Sequence, residues 1–505
     1  MNIYNKPLRL CLFVSVWIVL IAACTAPPQA IAPLPVEVEA EAEVQDGSLD
    51  MSCRDCNVIM ILPTSLRKDT LGLYGGTKGV SPNIDRFFQN ALVFENAFAP
   101  SPWTLPSQVS LFTSLFPYKH QIMNRETQLQ IPDNILTLAE IMKTNGYATA
   151  AFTGDEEYNN RRALDRGFDV YIDQEAYLTY GIEHQPDKYD VRFRDLAPHA
   201  IEWMQDHRDE RFFLVVQAFE PHCPYQPGEN AVSRNAQWNN DYFDIEDVGC
   251  VSSDDKYPVT GTDRIQVRED MFVDQENVEY IHTQYDGELY NADTALADLF
   301  EAVKQLRLEE NTIVLLLSEH GEYLGEHNRF MRAEYELETF YDEGIHVPLL
   351  MRHPRIKQRT DIRHLVQLVD VLPTLTAMLG VEDAMVAKRQ GKSVIPAIEN
   401  DEVVNPYAFS ASNVYTGLVF DEKSTINSIR NTKWKYIHEH FLFNPQEDYA
   451  EKRYYGQWHS EKFEDRYYLF DIENDPNEEH NLYETETAIV AELEHELEQW
   501  LNSIR

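Results

Sequence analysis

Asn57-Val58-Ile59-Met60-Ile61-Leu62 decides the fold. An apolar run of this length, without polar alternation, marks a strand buried on both faces. Phe212-Phe213-Leu214-Val215-Val216 and Thr312-Ile313-Val314-Leu315-Leu316-Leu317 repeat the type. Between them, helical patterns cover Ile135–Thr144, Asp195–Asp206 and Tyr285–Leu306. Strands alternating with helices predict an α/β fold, a large mostly parallel sheet flanked by helices. Functional residues of such sheets gather beyond the strands' carboxyl ends. Attention therefore falls on the segments after Leu62, Phe219 and Leu317.

Composition narrows the function. The chain has 505 residues, 43% of them hydrophobic and 11% aromatic, enough for a packed core. It carries 43 Lys and Arg against 84 Asp and Glu, a formal charge of −41. Phosphate neutralisation needs the opposite balance, so nucleic acid is excluded as a default partner. An anionic bilayer surface repels the chain for the same reason.

Any attachment to a membrane must then come from something other than charge, and the N-terminus offers a way. Lys6 and Arg9 precede an apolar run from Leu10 to Ala23, the pattern of a signal peptide over residues 1–23. Ile21-Ala22-Ala23-Cys24 resembles a bacterial lipoprotein lipobox, which makes Cys24 the expected lipidation site. An ordinary signal peptide with an incidental cysteine is the alternative. Residues 24–52 read as a tether, with Pro27, Pro28, Pro33 and Pro35 extending it and Glu37, Glu39, Glu41 and Glu43 repelling one another. The expected location is outside the cytoplasm, lipid-anchored to a bacterial membrane at its periplasmic face or at the cell surface.

Four cysteines then remain, Cys53, Cys56, Cys223 and Cys250, in a compartment that permits disulfides. Three connectivities are possible. Cys223–Cys250 is favoured because it would clip the polar insert between them. The Cys53-Arg-Asp-Cys56 pair could be a short disulfide, a redox pair or half a zinc site, and no second half stands at zinc-like spacing. The acidic stretch Asp241–Asp270 reads as a surface insertion without EF-hand spacing.

Several segments together carry a resemblance. They are Ser81-Pro82-Asn83-Ile84-Asp85-Arg86, Trp103-Thr104-Leu105-Pro106-Ser107 and Arg166-Gly167-Phe168-Asp169. Glu220-Pro221-His222, Ser318-Glu319-His320-Gly321 with Leu324-Gly325-Glu326-His327, and Gly344-Ile-His-Val347-Pro348-Leu349 follow. Asp370-Val-Leu-Pro373-Thr374-Leu375, Lys433-Trp434-Lys435-Tyr436 and Tyr468-Leu-Phe-Asp471 complete the order. With Asn57-Val58 at the front, the chain resembles the sulfatase family of the alkaline-phosphatase superfamily from Asn57 to about Leu482. The resemblance implies a large α/β domain over 53–400. It also implies a C-terminal subdomain over 401–505, a short antiparallel sheet closed by a helix at Glu484–Ile504. In that helix Ile489, Val490, Leu493, Leu497, Trp500 and Leu501 make one apolar face.

The family's chemistry uses a divalent cation, usually calcium, and a formylglycine made from Cys or Ser. By the resemblance, its two metal-binding aspartates fall on Thr64 and Ser65, and its second metal pair on Glu319 and His320. Its Cys/Ser-x-Pro-x-Arg motif falls on Thr104-Leu105-Pro106-Ser107-Gln108. Threonine cannot give formylglycine, since its extra methyl would leave a ketone, and Gln108 brings no charge. His222 alone matches a catalytic histidine. Lys and His are missing near Thr153-Gly154-Asp155-Glu156, and a later Lys falls near Leu337. Two readings follow. The first is a non-catalytic sulfatase-like protein that binds an anionic or glycan ligand, holds no formylglycine and binds calcium weakly if at all. The second is a divergent sulfuric or phosphoric ester hydrolase with Thr104 as nucleophile and His222 as acid/base. For His222 a buried structural histidine is the plain alternative, and for the Glu319–His327 loop a solvated acidic loop.

Overall fold

A computed structural model describes residues 49–123, 129–158, 160–174, 191–223, 225, 227, 275–328, 330–331, 340–415, 420–441 and 464–504. Cys24, Cys250, Leu337 and the Asp241–Asp270 stretch lie outside them. From Ser48 to Arg505 the chain forms one compact unit.

The three apolar runs sit side by side. β1 (Asn57–Pro63) lies between β5 (Phe212–Ala218) and β6 (Thr312–Leu317), parallel to both, and all three are buried throughout. β3 (Ala148–Thr153) and β4 (Val170–Ile172) extend the sheet in parallel beyond β5. On the other side, β10 (Leu349–Arg352) runs antiparallel between β6 and β2 (Leu92–Phe98), and β11 (Thr360–Gln367) closes that edge parallel to β2. The short β9 (His346–Val347) pairs with β2 and completes a nine-stranded sheet among the described residues.

Strand periodicity splits the core in two. Val58, Met60, Leu62, Phe213, Val215, Ile313 and Leu315 face one layer, which includes helices Thr104–Thr113, Leu138–Thr144 and Val371–Leu379. Ile59, Ile61, Phe212, Leu214, Val216, Val314 and Leu316 face the other, built on helices Phe193–Asp206 and Gln275–Gln305. Burial on both faces is why the sequence shows no alternation there.

Strands β12 (Ala408–Tyr415), β13 (Phe420–Arg430), β14 (Trp434–Phe441) and β15 (Glu464–Asp471) form the antiparallel C-terminal sheet in sequence order. Its Ile426, Ile437 and Phe470 join the first core of the large sheet. Its Ile429, Tyr436 and Leu469 pack on Val490, Leu493 and Leu497 of the last helix, Thr487–Ile504.

Composition ends the tether at residue 52, yet Met51 is fully buried and its N–H donates to Glu399 at 2.6 Å. Met51 thus packs with the body. The Cys53-x-x-Cys56 pair is a disulfide, and of the three readings open for it the short-range bridge is the one formed. Cys223 is also disulfide-bonded.

Candidate functional site

The carboxyl ends of β1, β5 and β6 and the head of helix Thr104–Thr113 meet at one point. Beyond β1 the chain turns through Ser65, whose left-handed φ of 62° suits a short polar side chain. Tyr285, from the long helix Gln275–Gln305, braces this turn: its hydroxyl donates to the Ser65 carbonyl at 2.8 Å and accepts the Arg67 N–H at 2.7 Å. Beyond β6, the Ser318 hydroxyl donates to the Pro63 carbonyl at 2.8 Å and accepts the Leu66 N–H at 2.9 Å. The next turn passes so close to Glu343 that a Cβ on Gly321 would stand 1.9 Å from that residue's carbonyl oxygen. Only glycine fits there.

His320 points from that turn to the centre. Its Nε2 lies 3.1 Å from Thr104 Oγ1, and its Nδ1 lies 2.7 Å from the Gly321 carbonyl and 3.5 Å from Ser65 Oγ. A carbonyl only accepts, so Nδ1 carries a proton and Nε2 is the nitrogen turned to the Thr104 hydroxyl. A Glu319 carboxylate oxygen lies 3.6 Å from the same Nε2. The Ser107 hydroxyl, one turn along the helix from Thr104, donates to the Glu319 carbonyl at 2.5 Å. Thr64 is held from the other side: Gln217 Nε2 donates to its Oγ1 at 2.7 Å, while Gln217 Oε1 accepts the N–H groups of Gly154 and Asp155. Gln108 Nε2 donates to the Glu157 carbonyl at 2.7 Å. Thr64, Ser65, Thr104, Ser107, Gln108, Gln217, Glu319 and His320 are all fully buried.

The structure thus brings together Thr64, Ser65, Thr104, Glu319 and His320, as the motif positions predict. His222 stands just beyond the end of the neighbouring strand β5. Its ring packs on Phe219 at 4.2 Å and its Nδ1 meets the Cys223 carbonyl. Glu220 beside it accepts the Phe193 N–H at 2.7 Å, and burial pushes its carboxyl up to about 8 against the pull of Arg192. Sequence reading missed Gln217 and Ser107. Gln217 had a signal, a lone amide at the end of an apolar strand. Ser107 had none, because its partner is a backbone carbonyl more than two hundred residues away.

A cleft of about 290 Å³ is lined by Arg67, Asp69, Lys78, His282, Leu324 and Glu326 among others, Arg67 following two residues after Ser65. Arg67 donates to Asp69 at 2.7 Å and to Glu326 at 2.6 Å. Burial disfavours its charge, but those two carboxylates outweigh it and hold the guanidinium protonated. Lys78 pairs with Asp286 at 2.6 Å.

A mostly parallel sheet with a hydroxyl residue heading a buried helix at its carboxyl ends, and an antiparallel sheet appended, defines the alkaline-phosphatase and sulfatase class. The family profile described as Sulfatase matches residues 56–381, and the C-terminal profile of N-sulphoglucosamine sulphohydrolase matches residues 325–505. The chain belongs to the sulfatase family. Among its relatives, the Delta 4,5-hexuronate-2-O-sulfatase of Bacteroides thetaiotaomicron is 21% identical over 450 residues, 84% of either chain. Arylsulfatase K of Homo sapiens is 25% identical over 417 residues, 75% of this chain and 74% of its own. A solved Bacteroides fragilis protein assigned as a sulfatase superposes with a TM-score of 0.66 at 18% identity, over 91% of this chain and 98% of its own.

Proposed function

We propose that this chain is a non-catalytic member of the sulfatase family that binds a sulfated or otherwise anionic glycan. The observation that carries the reading is the buried 3.1 Å contact between Thr104 and His320. The imidazole spans the space between the nucleophile position and Ser65, at the place where the family's metal pairs converge. Calcium takes six to eight oxygen ligands, mainly carboxylates. Of the four corresponding positions here, Glu319 alone is a carboxylate; Thr64 is bound to Gln217, and Ser65 and Thr104 face His320. This donor set does not fit calcium. Thr104 does not fit formylglycine, and no step is derived through either group. Electrostatic stabilisation of a developing anion needs preorganised positive charge or free donors, and the hydroxyls and amides of this site are already bound to one another beside the Glu319 carboxyl group. The glycan part of the proposal rests on the relatives, one of which is named for a hexuronate sulfate. The cleft beside Arg67 and Lys78 is the space proposed for such a ligand. Export through residues 1–23 and a lipid on Cys24 belong to the same proposal, with an acidic tether setting the body off the membrane. No helix of the described residues is long and apolar enough to cross a membrane.

A second reading is favoured by one detail, the turn of His320 Nε2 to the Thr104 hydroxyl. A hydroxyl bonded to a neutral imidazole is the arrangement of general-base activation. The divergent hydrolase then takes its base from His320, not from His222.

One experiment separates the two. Purified protein is titrated with calcium while thermal unfolding is followed, and aryl sulfate and aryl phosphate turnover is compared with that of Thr104→Ala. The expected result is an unmoved unfolding midpoint and no turnover that depends on Thr104. Turnover abolished by Thr104→Ala and by His320→Gln overturns the non-catalytic reading and selects the dyad.

A further inference from the structure

The C-terminal sheet carries a donor cluster of a different kind, away from the strand-end site. His438 and His440 stand two residues apart on β14 and so share a face. The β14–β15 register sets His440 opposite Asp465 and His438 opposite Tyr467, which places Asp465 directly across from one histidine and diagonal to the other. Asp465 Oδ1 lies 2.9 Å from His438 Nε2 and 2.7 Å from His440 Nδ1, and the three donor atoms all fall within 4.8 Å of one another. The His438 ring stacks on Tyr467 at 4.7 Å, which fixes its plane. The three side chains remain 30%, 32% and 39% exposed, so the cluster is open to an ion from solvent.

We propose that His438, His440 and Asp465 form a binding site for a divalent transition metal of the zinc class, with water completing the shell. Two imidazoles and one carboxylate suit zinc, nickel or copper, whereas calcium requires an oxygen shell. The site therefore differs from the family's metal position in both place and chemistry. Tetrahedral zinc with bonds of about 2.0–2.1 Å separates its donors by roughly 3.3 Å. The two His–Asp contacts need to open by only about half an ångström, which half-exposed side chains achieve by small torsions. On binding, each histidine gives the metal the nitrogen that now faces Asp465, and the proton there moves to the opposite ring nitrogen or to solvent. Burial works against ionisation of Asp465, but hydrogen bonds from both histidines outweigh it and keep the carboxylate charged. The bound ion would cross-link β14 to β15, the edge strand of its sheet.

The test uses the full chain stripped by chelator. Zinc chloride is titrated by calorimetry and thermal unfolding near neutral pH, and cobalt(II) by visible absorption. One saturable equivalent, a raised unfolding midpoint and a cobalt band of low coordination number are expected. His440→Gln and Asp465→Asn should each lose at least about tenfold in zinc affinity, with midpoints in chelator unchanged. His480→Ala, in the surface group Asp475, Glu479 and His480, should bind as the parent does. Equal zinc binding by parent and Asp465→Asn, no saturation below about 1 mM zinc, or an equal response to calcium would overturn the proposal. None of these outcomes depends on whether Thr104 supports turnover.

Discussion

Two buried polar centres sit on opposite principles. At the strand ends, Thr64, Ser65, Thr104, Gln108 and Gln217 satisfy one another and the backbone as neutral groups around His320. At the joint between the two sheets, buried cations and carboxyl groups are paired instead. Lys435 is completely buried and donates to Asp342 and Glu478, both at 2.7 Å, while Arg430 donates to both oxygens of Asp342. Burial opposes the Asp342 charge, but Arg430 and Lys435 hold its carboxyl well below the usual range. Glu478 shares the same lysine and is pushed up to about 7, chiefly by burial. The chain is thus able to bury charge where a joint is pinned in register. The contrast teaches that the hydroxyl- and amide-rich lining of the strand ends is a local feature, while ionisable pairs are buried elsewhere in the same chain.

Breaking that contrast should have unequal costs. Lys435→Met removes one side of a buried ion pair and leaves Asp342 and Glu478 facing each other, so a loss of about 4 kcal/mol is expected from denaturant unfolding. A loss below about 1 kcal/mol would mean that the joint does not depend on its charges. Thr64→Asp makes the converse change by adding a second carboxylate to the strand ends beside Glu319, where one amide donates to it. We expect a loss of about 3 kcal/mol there. Parent-like stability in that variant would show a site still built to carry charge. The smallest effect lies at Glu220. Its raised value means that the folded protein holds a proton the unfolded chain has released, so stability is full at low pH and falls as pH rises through about 8. Between pH 7 and pH 9 the loss amounts to about 1.4 kcal/mol, and Glu220→Gln should abolish it. A pH profile of unfolding that is identical in parent and Glu220→Gln would contradict this account.

Much of the fold was legible because strands buried on both faces must be continuously apolar. Asn57–Leu62, Phe212–Val216 and Thr312–Leu317 became the three central strands with nearly those limits. The last helix was legible from its period, and it starts at Thr487 where the reading began at Glu484. The gathering of Thr64, Ser65, Thr104, Glu319 and His320 was also legible, since motif order fixes which strand ends they follow. Their orientation was not. Which nitrogen His320 turns to Thr104, and that Gln217 donates to Thr64, depend on groups brought together from distant parts of the chain.

By itself, then, the sequence determined an acidic α/β chain of the sulfatase pattern, with Thr64, Ser65, Thr104, Glu319 and His320 at the positions that the family's motifs mark. Apolar periodicity and residue identity are local properties, and they survive being read one residue at a time. Only the tertiary structure decided that those site residues close on one another, that cations and carboxyl groups pair at the joint between sheets, and that two histidines and an aspartate share an edge. Each of these depends on hydrogen-bond geometry and solvent exclusion, which arise only when separate strands are packed together.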